Sequence, residues 1–466
     1  MQPNFDKRIL HIDALLREAG ASDFLAVGGC VRDLILGLEP KDLDFEVYGL
    51  DYDQICAALK PYFKISCVGQ SFSVVKVANE FDLAIPRRES KSGVGHKAFV
   101  VEPDSTLTFA QAAARRDFTI NAIGMRLNGE LCDPYHGVDD IKNGILRATS
   151  EAFCEDPLRV LRGMQFAARF GFEMDERTIE LCKRVKPEFV TLSQERIFEE
   201  WRKWATKGRY PEKGLDVLLQ TTWLECFPEL FALVGIPQKS EYHPEGDLFE
   251  HVRQTCVAAR LIADEFRLPE RETTILLFAA LLHDIGKPAS LIEKKGGGIS
   301  TKGHARLGKE VAEQFLLQMR APLWLVRHVA VLARCHDWYI RWKGDDTTLR
   351  RLAEKLEPSN LVMWNYLASA DLEGRCASGL PTAPRLHFSD WVERARELGV
   401  DQRAQKPLIQ GRDLVARGLA PSPQFKTMLQ DAWEAQLDGV FLDPDSADAW
   451  LSQYLQKRGR PNTRLG

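Results

Sequence analysis

The chain has 466 residues, enough for two to four domains, and its 45% hydrophobic and 27% charged residues are an ordinary globular balance. A net charge of −4 gives no overall basic character that would advertise nucleic-acid binding, although a local basic cleft can sit on a mildly acidic protein. No apolar run approaches the roughly 20 residues that span a bilayer, the start "MQPNFDKRILHID" lacks the apolar core of a signal peptide, and the ten cysteines include no C-x-x-C. A cytoplasmic protein with reduced, mostly buried thiols and no membrane contact is expected.

In chain order, "RILHIDALLREAG" has helical apolar spacing and stops at Gly20. "FLAVGG", "DLDFEVYG", "FSVVKVA" and "FDLAIP" are short strand-like runs bounded by Gly, Pro or Asp. From about Ile145 the patterns become helical, with Ser193 a suitable N-cap and Glu195 in the first turn that follows. Between Pro237 and Ser378 the helices concentrate histidine, holding His243, His251, His283, His304, His328 and His336. "EKKGGGISTKGH" reads as a loop there, and "LAPSPQ" breaks the helical and mixed C-terminal part, which ends in a basic tail.

In "VGGCVRDLILGLEPKDLDFEVYG" a strand would place Asp42, Asp44 and Glu46 on one face and Leu43, Phe45 and Val47 on the other. An edge strand with a wet face gives the same alternation. The chemical alternative is that carboxylates at adjacent same-face positions hold Mg²⁺, which takes one or two carboxylates plus substrate phosphates. Gly28 and Gly29 between strand and helix let phosphate approach the backbone N–H groups, and Arg32 adds a cation, with Asp33 beside it.

"RRDFTINAIG", if helical, sets Asp117 and Asn121 four apart on one face, able to read ribose hydroxyls, while Arg116 can meet a triphosphate. In "EDPLRVLRGMQFAARF", Asp156, Arg159 and Arg162 recur every three residues along one helical stripe. A paired Asp and Arg can accept from the exocyclic amine of C or A and refuse G and U. Surface ion pairs would show the same spacings.

The four segments "GGCVRD", "KDLDFEVYG", "RRDFTINA" and "EDPLRVLR" together resemble the class II tRNA nucleotidyltransferases, the CCA-adding enzymes, and the related bacterial poly(A) polymerases. The resemblance implies an α+β polymerase-β-like nucleotidyltransferase head followed by all-α neck and body, then HD domain and helical tail. It implies that Asp42 and Asp44 bind two Mg²⁺ ions and act as the catalytic pair. Gly28, Gly29, Arg32, Asp33, Arg116, Asp117, Asn121 and Arg162 would contact the incoming CTP or ATP. Asp156 and Arg159 would template C and then A. A third carboxylate is Asp82 or Glu46. "RRESKSGVGHKAFV" looks like the loop CCA-adding members use in moving from C to A. Where many members carry a third arginine, this chain has Gln165, which leaves CC-only, A-only or poly(A) addition open. A binding protein with a dead transferase site is the rival from another class.

Imidazole and carboxylate suit a divalent transition metal, and the ordered set His251, His283-Asp284, His304, His336, Asp371 resembles the HD phosphohydrolase superfamily. His243 and His328 are read as structural or surface residues. "KPLIQGRDLVARGLAPSPQF" resembles the tRNA-binding tail of HD-containing members. The expected domains are 1–145 (nucleotidyltransferase head), 146–236 (neck and body, nucleobase selection), 237–385 (HD) and 386–466 (tail). The tRNA 3′ end is the expected partner, with no protein partner inferred.

Overall fold

Alternating apolar and polar residues over short Gly- or Asp-bounded runs build a seven-stranded mixed sheet in the first part of the chain. The computed structural model describes residues 5–40, 42–66, 74–78, 80–91, 99–239, 241, 243–293, 299–376 and 379–459. It divides into two compact units, Met1–Phe231 and Ala232–Gly466.

In the first unit the strands are β1 (Asp23–Val27), β2 (Asp44–Tyr48), β3 (Ile65–Ser66), β4 (Val74–Val77), β5 (Phe81–Ala84), β6 (Arg87–Lys91), β7 (Phe99–Pro103), β8 (Gly124–Met125), β9 (Leu131–Cys132) and the separate parallel pair β10 (Ile145–Leu146) and β11 (Glu173–Met174). The sheet runs β3-β4-β5-β2-β1-β8-β9, so β2 lies at its centre. It pairs antiparallel with β1 and parallel with β5, in a register that sets Asp44 opposite Asp82. Phe45 and Val47 are fully buried, and Phe45 stacks on Phe24 with ring centroids 5.0 Å apart. Asp44 and Glu46 are left to the opposite face by the two-residue period. The strand begins at Asp44, so Asp42 precedes it at an exposed bend rather than lying within it.

Helix α1 (Lys7–Glu18) is capped by Asp6, buries Ile9, Ile12 and Leu16, and passes through Ala19 to Gly20. Helix α2 (Gly29–Ile35) follows β1, and α3 (Tyr52–Leu59) opens with an Asp51–Gln54 capping box. The segment resembling the C-to-A loop forms an antiparallel ribbon of β6 and β7, paired from Arg87↔Pro103 to Lys91↔Phe99. Its tip, 92–98, lies outside the described residues.

Beyond α4 (Phe109–Ala113) the expected helix over "RRDFTINAIG" is replaced by a turn, an isolated bridge from Phe118 to Ala148 and one 3₁₀ turn, Thr119–Asn121. Buried Phe118, whose extended backbone pairs with Ala148, breaks the helical path. After α5 (Gly137–Asn143) come α6 (Leu158–Phe170), α7 (Glu176–Val185), α8 (Gln194–Lys207), α9 (Pro211–Gln220) and α10 (Pro228–Phe231). Ser193 caps α8 by accepting from the Arg196 N–H, with Glu195 in the first turn. Trp201, Trp204 and Trp223 are fully buried between these helices. Asp156 is extended between the 3₁₀ turn Glu151–Glu155 and α6 instead of joining the helical stripe, because the residue before a proline is biased away from helical backbone and α6 starts only at Leu158.

The second unit is helical: α11 (Leu248–Glu265), α12 (Glu270–Leu282), α13 (Lys287–Ser290), α14 (His304–Gln318), α15 (Leu323–Cys335), α16 (Asp346–Leu356), α17 (Leu361–Glu373), α18 (Ser389–Glu397), α19 (Gly411–Ala416), α20 (Gln424–Leu437) and α21 (Pro444–Gly459). α12 and α17 run through the interior, buried from Thr273 to Leu282 and, apart from Tyr366, from Met363 to Asp371. The expected loop "EKKGGGISTKGH" begins in one of two short strands that pair, Ile292↔Ser300 and Glu293↔Ile299, and runs on past the second to α14. α20 starts directly after the break at "LAPSPQ". All nine described cysteines are free; four are buried and five only half-buried, fewer than expected.

Candidate active sites

The face of β2 that carries Asp44 opens on a cleft of about 950 Å³, lined among others by Arg32, Asp44, Asp82, Arg116, Arg162 and Gln165. Partial burial raises the Asp44 carboxyl above its ordinary range, Arg116 opposes that shift, and the neighbouring charges of Asp82, Asp42 and Glu46 add to it. Acids whose charges raise the proton affinity of Asp44 form with it a surface that gains from a cation. The two candidates for a third carboxylate differ sharply. Glu46 is engaged: it accepts from Arg116 Nη2 at 2.8 Å and from the Tyr48 hydroxyl at 2.5 Å. Asp82 stands across from Asp44 and makes a half-exposed ion pair with Lys76 at 3.1 Å, its one ion pair among the described residues.

Most of the other expected residues are brought together in one network. Buried Arg32 donates to Asp33 Oδ1 at 2.9 and 2.7 Å and to Asn121 Oδ1 at 2.5 Å. Asn121 donates to Asp117 Oδ1 at 2.9 Å, and Arg162 Nε to Asp117 Oδ2 at 2.7 Å. Asp117 and Asn121 thus meet through a turn and not a helix face. Burial alone would raise the Asp117 carboxyl, but the charge of Arg162 and the bonds from Asn121 and the Phe118 N–H hold it below the ordinary range. Arg116 also donates to the Asn121 carbonyl at 3.2 Å. Gly28 has φ +77°, and a Cβ there would lie 2.5 Å from Arg116 Nη1, so the glycine makes room for that guanidinium. The Gly28 N–H itself is bonded to the Ile123 carbonyl at 3.2 Å.

Asp156 and Arg159 are held by other partners. Asp156 accepts from the Leu158 N–H at 3.0 Å and from Arg196 at 2.8 Å, while Arg159 donates to the carbonyls of Ala152 at 2.6 Å and Arg115 at 2.7 Å. Sequence reasoning missed Arg169, which donates to Asp33 at 3.1 Å, and the basic residues Arg196, Lys203 and Lys207 of α8 that line the cleft. Their spacing of seven and four is a helical stripe that was there to be read.

In the second unit the six expected residues converge in a buried cluster. His251 Nε2 lies 3.2 Å from His283 Nε2 and 3.1 Å from Asp371 Oδ1. His304 Nε2 lies 3.3 Å from His336 Nε2, and both stand 3.4 Å from Asp284 Oδ1. The other oxygen, Asp284 Oδ2, is 3.2 Å from His283 Nε2. Asp284 therefore lies between two groups, His251–His283–Asp371 and Asp284–His304–His336. His283, His304 and His336 direct Nδ1 to the carbonyls of Ala280, Thr301 and Ala333 at 2.8, 3.0 and 2.8 Å. A carbonyl only accepts, so the proton sits on Nδ1 and the Nε2 lone pairs face inward. Among the described residues no hydrogen-bond donor reaches the buried Asp284 Oδ1. Burial would raise Asp284 and Asp371, but Lys287 and His283 for the first, and Arg375 and His251 for the second, hold them well below the carboxylate range. An inward-facing set of imidazole nitrogens and anionic oxygens fits a divalent metal.

His243, read as structural or surface, belongs to an outer layer of this cluster. Glu245 Oε1 stands 2.9 Å from both His243 Nδ1 and His251 Nδ1, with the Glu245 side chain fully buried. Burial alone would raise Glu245, and the two imidazoles hold it at about 2. Sequence reasoning also missed Tyr339, whose hydroxyl donates to Asp371 at 3.0 Å. His328 donates to the Trp324 carbonyl at 2.7 Å, outside the cluster.

The mixed sheet with its acid-lined, arginine-walled cleft and the helical histidine–aspartate cluster define a nucleotidyltransferase that carries an HD domain, two domains that both use divalent metal. Family models agree: "Poly A polymerase head domain" matches residues 24–147, "Probable RNA and SrmB-binding site of polymerase A" residues 171–233, and "HD domain" residues 248–363. The multifunctional CCA protein of Neisseria meningitidis serogroup B is 36% identical over 405 residues, 83% of this chain and 91% of that protein. That of Mannheimia succiniciproducens is 40% identical over 402 residues, with 83% and 91% covered. The chain belongs to the multifunctional CCA protein family. Its fold matches a Bacillus stearothermophilus CCA-adding enzyme solved with CTP (TM-score 0.61, 21% identity, 98% and 99% of the chains). It also matches a Thermotoga maritima CCA-adding enzyme solved with tRNA (TM-score 0.59, 18% identity, 97% and 96%). Among the described residues no helix is long and apolar enough to cross a membrane.

Proposed function

We propose that the chain adds or repairs the 3′-terminal CCA of tRNA from CTP and ATP without a nucleic-acid template, in the cytoplasm. The observation that carries this is the in-register placement of Asp44 and Asp82 at the mouth of a cleft walled by Arg32, Arg116 and Arg162. Asp42, Asp44 and Asp82 would hold two Mg²⁺ ions, which when bound stabilise the charge that develops on attacking and leaving oxygens. The tRNA 3′-hydroxyl gives its proton to a cleft carboxylate or solvent water and attacks the α-phosphorus, the new P–O bond forms, the α–β phosphoanhydride bond breaks, and pyrophosphate departs. The Arg32–Asn121–Asp117–Arg162 network and Arg116 orient the triphosphate and ribose, so that much of the catalysis is positioning and charge complementarity. Each oxygen of Asp156 keeps a lone pair beyond its present bond, with which it can accept the exocyclic amine of C or A beside Arg159.

The HD cluster is proposed to hydrolyse phosphate esters with a divalent transition metal at His251, His283, Asp284 and Asp371, and a second at His304 and His336 with Asp284 shared. Lys287, 2.6 Å from Asp284 Oδ2, supplies a cation beside the anionic ligands. Residues 1–145, 146–236, 237–385 and 386–466 would serve as head, neck and body, HD domain and tRNA-binding tail.

Gln165 favours a second reading, a transferase of narrower specificity. It is 3% exposed, lines the cleft and is neutral where many relatives carry arginine. One assay separates the readings: tRNAs lacking their last one, two or three nucleotides are supplied with CTP or ATP singly and together, and the products are sequenced. Full CCA restoration supports the first reading, CC-only, A-only or repeated A the second, and no incorporation a binding protein.

A further inference from the structure

Helix α6 carries Arg162, Phe166 and Phe170 in steps of four, which sets them in one row along a helix face. Arg32 enters that row from α2. Its guanidinium carbon lies 5.2 Å from the centroid of the Phe166 ring and 4.8 Å from that of Phe170. Arg162 stands 5.2 Å over Phe166, and Arg169 stands 4.7 Å over Phe170. The two rings stack on each other with centroids 6.0 Å apart and planes 21° from parallel. Each ring therefore meets two guanidiniums. Phe166 also meets Phe118 edge-on in the core, so packing accounts for its size. Packing does not account for a second ring, half-buried at the end of α6, set under two arginines. Arg32, Arg162, Arg169 and Phe166 all line the cleft.

The three arginines share two carboxylates. Asp33 accepts from Arg32 and Arg169, and Asp117 accepts from Arg162. Burial disfavours the charged form of Arg32, Asp33 opposes this, and the charge of Arg169 adds to the burial. A third carboxylate would relieve the repulsion, but it would also cancel the positive charge that a triphosphate meets. A ring face attracts a guanidinium through its quadrupole and carries no net charge. We propose that Phe166 and Phe170 are positioning residues of the nucleotide site, holding Arg32, Arg162 and Arg169 together as a cationic row that receives the triphosphate common to CTP and ATP. The inference rests on the nucleotidyltransferase reading of the cleft. Because the rings act through the arginines on a group that both nucleotides share, they affect CTP and ATP alike.

The test uses the full-length protein, with Phe170 replaced by phenylalanines that carry one, two and three ring fluorines. Fluorine drains electron density from the ring face at nearly constant volume, so packing is kept while the attraction for a guanidinium falls. Each fluorine should raise KM for CTP and for ATP by the same step, reaching roughly five- to thirtyfold at three. The kcat for addition to tRNA lacking its terminal nucleotides should stay within about threefold. Phe170→Leu should show the full loss, and Phe170→Tyr should stay within about twofold of the native chain. Calorimetric titration with inorganic triphosphate, which has the phosphates and no base, should weaken in the same order. A flat response to fluorination overturns the proposal, and so does a fall in kcat at unchanged KM. A KM rise confined to one of the two nucleotides also overturns it, because the rings would then serve base selection. Stepwise weakening of triphosphate and CTP binding in a chain that adds no nucleotide supports the cationic row and removes the transferase reading. Normal addition with no stepwise response removes the row alone.

Discussion

Exchanging the two contested carboxylates for their amides separates a catalytic acid from a structural one. Glu46 is 14% and Arg116 24% exposed at the side chain, and they pair at 2.8 Å. Breaking a fully buried pair costs roughly 3–5 kcal/mol by stranding the partner charge. Partial exposure and the acceptor oxygen that glutamine retains bring Glu46→Gln to about 2 kcal/mol. For a unit of this size that is a fall in Tm of about 4–8 °C, with kcat for nucleotide addition changed less than about tenfold. Among the described residues the ion pair of Asp82 is its half-exposed contact with Lys76, worth at most about 1 kcal/mol. Asp82→Asn should leave Tm within about 4 °C and lower kcat by at least about a hundredfold, the scale of losing one group that stabilises developing charge. The measurements are calorimetric unfolding and single-turnover addition of CMP to tRNA lacking its terminal nucleotides. Near-normal kcat in Asp82→Asn, or a collapse of kcat in Glu46→Gln at unchanged Tm, would refute the assignment.

Gly28→Ala forces φ +77° on a residue with a Cβ and drives that atom against Arg116, so it should cost about 1–3 kcal/mol and raise KM for CTP and ATP, read by calorimetry and initial rates. Glu245→Gln should lower divalent-metal affinity of the second unit roughly ten- to hundredfold in a chelator competition, with CCA addition unaffected, since outer carboxylates fix the ligand imidazole. The Asp117 carboxyl is held below its unfolded value of 3.8, so its contribution is present above that pH and lost as pH falls below it. The Tm difference between the native chain and Asp117→Asn should therefore be full at pH 6 and shrink below about pH 3.8.

Much of both sites was legible because local spacing carries it. The two-residue period of a strand put Asp44 and Glu46 on one face, and burial of Phe45 and Val47 follows from the same alternation. The order of glycines, arginines and acids, and the spaced histidines and aspartates, pointed to the two chemistries before any contact was known. The helix over "RRDFTINAIG" was wrong because Phe118 is pulled into an extended bridge with Ala148, a partner thirty residues away that outweighs local propensity. Asp156 lost its place in the helical stripe to the proline that follows it. His243 looked ordinary because a histidine two residues from a glutamate says nothing until His251 is brought against the same carboxylate.

By itself the sequence determined the class of chemistry, since residue types and their order fix which ligands and charges are available. Only the tertiary structure decided how those groups are divided between reaction and support. Strand register set Asp82 against Asp44, and the turn after α4 carried Arg116 to Glu46, which pairs with it. Both contacts join residues tens of positions apart, where pairing is settled by sheet register and buried charge, and no local spacing encodes them.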